Sequence, residues 1–98
     1  MSPINKKKLL ILRKKLDKVD DRLLSILKIR SNYVKEVLSI KEFKKEIIDR
    51  KRIKIILRNI RGKSIKKGID TNISNRIWKN MIYAFIDYEF RNFKKQKK

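Results

Sequence analysis

The 98-residue chain carries 30 Lys and Arg against 10 Asp and Glu, a net charge of +20, with 41% hydrophobic residues and neither cysteine nor histidine. That length fits a single domain with a modest core. The missing side chains exclude disulfides, the common zinc sites and Ser-His or Cys-His catalysis.

The charge suits nucleic acid, an anionic membrane or a small anionic substrate. Lys, Ile and Asn are abundant while Ala84 is the only alanine, so compositional drift explains much of the excess. The longest apolar run, Met81 to Ile86, is far too short to span a membrane. The N-terminal MSPINKKK leads into an amphipathic stretch rather than a signal-peptide core, which points to a cytoplasmic protein.

Three segments have helical periodicity and none alternates like a strand, so the fold class is all-α with three helices. The first helix is expected from about Lys6 to about Lys45. Its residues Leu9, Leu12, Leu16, Val19, Leu23, Ile26, Val34 and Val37 keep a three-four spacing for several heptads without Gly or Pro. Such a rod would be roughly 60 Å long. A chain this small has nothing to cover it, and a second copy of the same helix is the simplest partner. Ile47 and Ile48 form a break. Asp49 then caps a second helix, about Arg50 to Arg61, with Ile53, Ile56, Leu57 and Ile60 on one face. Gly62 and Gly68 bracket a basic loop. Asp70 caps a third helix to about Phe93, with Ile73, Ile77, Met81, Ala84 and Tyr88 on one stripe. Residues 1–5 and 94–98 are expected to fray. The pattern gives one domain over 1–98.

Most basic residues fall on a solvated face, but two do not. Arg30 and Lys41 lie on the stripe defined by Leu16, Leu23, Val34 and Val37. They are 41 minus 30, or 11, residues apart, so on one helix they would project within about 20° of each other. Two cations on an apolar seam are costly unless something anionic meets them. Snorkelling, or pairing with a carboxylate from another helix, would serve one such residue; two on one seam favour a bound dianion. Arg13 lies 17 residues before Arg30 (30 minus 13), about 25 Å along a helix. It would reach the same small ligand only from a second copy of the chain.

These spacings resemble the all-helical chorismate mutases. The stretch from Leu12 to Lys41 is similar to that family's first helix, with Arg13, Arg30 and Lys41 at its three cationic positions and Val19, Asp20, Leu23 and Leu24 following its Leu-Asp-x-x-Leu-Leu pattern. Asp49 and Arg52 match the start of its second helix. Ile69-Asp70 is similar to the start of its third. The resemblance covers about residues 9 to 92. It implies an intertwined homodimer with two shared sites, no cofactor and no metal. Arg13 from the partner subunit and Arg30 would hold the two carboxylates of chorismate. Lys41 would donate to the ether oxygen of the breaking bond and to a carboxylate, with Arg52 beside it. Asp49 would contact the ring hydroxyl. The rearrangement to prephenate, a step of aromatic amino-acid biosynthesis, needs no nucleophile and no net proton transfer, so placed cations suffice.

Three positions depart from the usual pattern. Ile53 stands where the family has Glu, which removes an acceptor for the ring hydroxyl. Phe85 replaces a residue that is often small and polar in bacterial members; as a candidate substrate contact it would pack on the ligand or, more simply, in the core. Glu89 stands where many bacterial members have a hydrogen-bond-donating Gln, as in fungal members. A carboxylate donates only when protonated, so activity is expected to rise toward acidic pH. Two other readings compete. An isochorismate-pyruvate lyase on the same fold is kept open by Ile53. A basic nucleic-acid-binding protein would use Arg76 and Lys79, but the connection from Arg61 to Asp70 is long for a helix-turn-helix. Nucleic-acid binding is therefore expected to be non-specific at most.

Overall fold

The computed structural model describes residues 1–94 and contains three α-helices. The chain divides into two compact units, Met1–Tyr33 and Val34–Lys98. Helix α1 (Pro3–Ile40) makes up nearly all of the first unit and opens the second. The second unit then holds α2 (Arg50–Lys67) and α3 (Thr71–Asn92).

Helix α1 starts earlier than the sequence suggests. Ser2 Oγ accepts from the Asn5 N–H at 3.2 Å and Pro3 takes the first helical position, a combination that fixes a helix start. Residues 3–5 are therefore helical rather than frayed. Within the first unit no side chain is buried. Leu12, Leu16, Leu23, Leu24 and Ile26 are all at least 55% exposed, so the middle of the apolar seam is uncovered.

The helix also ends sooner, at Ile40 instead of near Lys45. Two features of the following link explain this. Glu46 Oε1 accepts from the N–H groups of Glu42 and Phe43 at 3.2 and 2.9 Å, closing a 3-10 turn over Lys44–Glu46. Ile47 is then 3% exposed and anchors the link in the core. A continued helix would forgo both.

Asp49 caps α2 as expected, accepting from the Arg52 N–H at 2.9 Å. The expected basic loop between Gly62 and Gly68 is instead the last part of α2, which runs on to Lys67. A glycine inside a helix costs only about 1 kcal/mol. Ser64, one turn past Ile60, donates to the Ile60 carbonyl and bonds the Ser74 hydroxyl of α3 at 2.8 Å, both serines being buried. Gly68 stops the helix with a left-handed φ of 71°, its N–H returning to the Ile65 carbonyl. Asp70 caps α3 through the Asn72 N–H.

Helices α2 and α3 pack around Ile47, Ile82 and Ile86, with Ile53, Ile56, Leu57 and Phe93 against them. The buried face of α3 carries Ser74, Ile82, Ile86 and Glu89. The stripe read from the sequence lies about one residue, or 100°, to one side. Its Ile73 and Ile77 are exposed by 56% and 52%. Helix α3 is apolar on two faces, and only one is covered by α2.

Candidate active site

Lys41 follows the last residue of α1, its N–H bonded to the Leu38 carbonyl at 3.2 Å. Helical phase therefore does not aim its side chain, as the projection from Arg30 assumed; the link to α2 does. Its Nζ donates to Glu89 Oε1 at 2.9 Å, with the two side chains only 17% and 8% exposed. Glu89 stands on the last turns of α3, one turn past Ile86 of the apolar cluster. The two residues are 48 positions apart, and folding of the second unit brings them together.

That pair is costly to break. Removing one partner of a buried ion pair typically destabilises by about 3–5 kcal/mol, because the other charge stays desolvated. The arrangement therefore holds a lysine ammonium in a largely dry place with one carboxylate oxygen on it. An incoming anion would find a directed cation there.

Asp49, Arg52 and Ile53 occupy the start of α2. Asp49 is exposed, with one carboxylate oxygen engaged by its capping bond. The Arg52 side chain is exposed, while Ile53 is half-buried against the apolar cluster and so serves the core. Phe85 is half-buried on α3, one turn before Glu89 and on the same side of the helix. In the first unit Arg13 is exposed and Arg30 half-buried. The structure thus joins Lys41 to Glu89 directly, while Arg13 and Arg30 belong to the other unit.

Sequence reasoning missed the contact between Lys41 and Glu89. Each was a candidate by register, but no local signal links positions on separate helices. It also missed Glu46, whose turn sets where Lys41 leaves the helix; the Phe43-x-x-Glu46 spacing, with Glu three residues after the turn begins, was a readable cue. A cleft of about 260 Å³ lies elsewhere, between α2 and the start of α3, and none of the candidate residues borders it.

An all-helical chain that presents a buried lysine–carboxylate pair has a directed cation with which to meet an organic anion. The family description chorismate mutase type II matches residues 12–90, and the chain belongs to that family. It is an isomerase that converts chorismate to prephenate. Comparison with curated proteins and with solved structures gave no significant match.

Proposed function

We propose that two copies of this chain form a homodimer with two equivalent sites, each completed by Arg13 of the second copy. In each site Arg13 and Arg30 hold the carboxylates, and Lys41 meets the ether oxygen as the C–O bond breaks and the C–C bond forms. Arg52 adds positive charge, Asp49 takes the ring hydroxyl, and Phe85 packs beside the reacting ring. Negative charge gathers on the ether oxygen in the transition state, so cations aimed there act more strongly on it than on the ground state.

The observation that carries this reading is the buried Lys41–Glu89 pair. Substrate oxygens arriving on Lys41 displace the Glu89 carboxylate as its partner. In its protonated form the Glu89 carboxyl donates to the same ether oxygen. The uncovered seam of α1 supports the dimer, since a single helix of this kind is marginal in water without a packed face. We place the protein in the cytoplasm, where small anionic biosynthetic intermediates are handled.

Mixing two defective variants tests the shared site. Arg13→Ala and Arg30→Ala chains should each be inactive as pure dimers. Unfolded and refolded together, half of the dimers are mixed and each holds one intact site, so about a quarter of wild-type activity should return. A mixture as inactive as its parents, with dimers of both kinds present, would place each site within a single chain.

A further inference from the structure

The α2–α3 cleft lies away from the residues assigned to the reaction. From α2 it is lined by Leu57, Ile60, Arg58 and Arg61, and from α3 by Thr71, Ser74 and Asn75. Arg58 and Arg61 are three residues apart and neighbours on one helix face. Thr71 and Asn75 are four apart and neighbours on the other. The lining therefore offers two guanidinium groups, two hydroxyls, of which that of Ser74 is already bonded to Ser64, and an amide beside apolar Leu57 and Ile60, and no carboxylate.

Electrostatics and size narrow the occupant. Guanidinium groups present planar donor pairs that match carboxylate and phosphate oxygens, and no lining group competes for them. Asp70 stands next to Thr71, but its carboxylate is turned to the Asn72 N–H as the helix cap. A volume of about 260 Å³ is below the usual range for large cofactors. Leu57 and Ile60 would leave a bare inorganic ion with an unfilled apolar side.

We propose that this cleft is a second binding site, for a small organic oxyanion: one carboxylate or phosphate group, held by Arg58 and Arg61, on a compact apolar body resting on Leu57 and Ile60. It does not depend on the roles assigned to Lys41 and Glu89. Occupancy would bridge α2 and α3 at the end remote from that pair, stiffening the hairpin that carries both Ile53 and Glu89.

The full-length protein titrated with benzoate, phenyl phosphate and inorganic phosphate, followed by amide and arginine Nε resonances, tests the site at constant ionic strength. Saturable shifts should centre on Arg58, Arg61 and residues 71–75, with both organic anions binding more tightly than inorganic phosphate. The double variant Arg58→Gln/Arg61→Gln should weaken binding by about tenfold or more, as loss of two charge-assisted contacts requires. Lys63→Gln/Lys66→Gln removes the same charge from α2 and should change it by less than about twofold. Shifts spread evenly over the basic surface, or equal losses in the two double variants, would overturn the proposal. So would the absence of saturation.

Discussion

Replacing Glu89 by Gln separates the two duties assigned to that side chain. Glu89 is 8% exposed and its Oε1 receives the Lys41 ammonium at 2.9 Å. An amide oxygen keeps an acceptor there but removes the charge. Hydrogen bonds to charged groups contribute about 1.5–3 kcal/mol and neutral ones about 0.5–1.5, so the loss in stability should be about 1–2 kcal/mol. For a domain of this size each kcal/mol lowers Tm by about 4–8 °C. Catalysis should respond differently. A carboxyl must take up a proton before it donates, so wild-type kcat/KM should fall by up to about tenfold per pH unit on its alkaline limb. Gln donates at every pH, and the variant should be flat between pH 5 and 8 and exceed wild type at the alkaline end. Initial rates of chorismate disappearance across that range, with melting curves at one fixed protein concentration, measure both effects. Parallel pH profiles for the two proteins, or a wild-type rate that rises with pH, would refute the donor role and leave only a structural pair.

The hairpin supplies two further tests. Gly68→Ala forces a side chain into φ 71° although nothing crowds its Cβ, and should cost about 1 kcal/mol in urea unfolding; Gly62→Ala, inside α2 and equally uncrowded, should stabilise by about 0.5–1 kcal/mol. Ser64→Ala strips the Ser74 hydroxyl of its buried partner and should cost about 1–2 kcal/mol. Adding Ser74→Ala should then cost less than it does in the wild type, which a double-mutant cycle reads directly.

Much of this fold is legible in the sequence because the signals are local. Asp49 and Asp70 announce helix starts, and the three-four spacing marks all three helices, while Lys41, Asp49 and Arg52 are nominated by their register with the family. The misread features depend on contacts between distant segments. Gly62 looks like a loop residue, and only the Ser64–Ser74 bond and the Gly68 cap show why α2 continues through it. Ile40 looks like mid-helix until Glu46 and Ile47 claim the following backbone. The buried face of α3 is ambiguous because two adjacent stripes are apolar. For the site, spacing and the family resemblance nominate the cations, whereas the identity of the partner that Lys41 holds emerges only from the packed hairpin.

That partner changes when a cost is incurred. A free lysine side chain samples many rotamers, and fixing it forfeits about 2 kcal/mol of entropy. In this chain Glu89 already holds Lys41 in one geometry before any ligand arrives. The ordering is therefore completed during folding, and in the proposed site substrate would exchange one anion for another on an ammonium that is already aimed. Affinity then depends on how well the newcomer competes with a resident carboxylate, so neutral analogues of the same shape should be discriminated against.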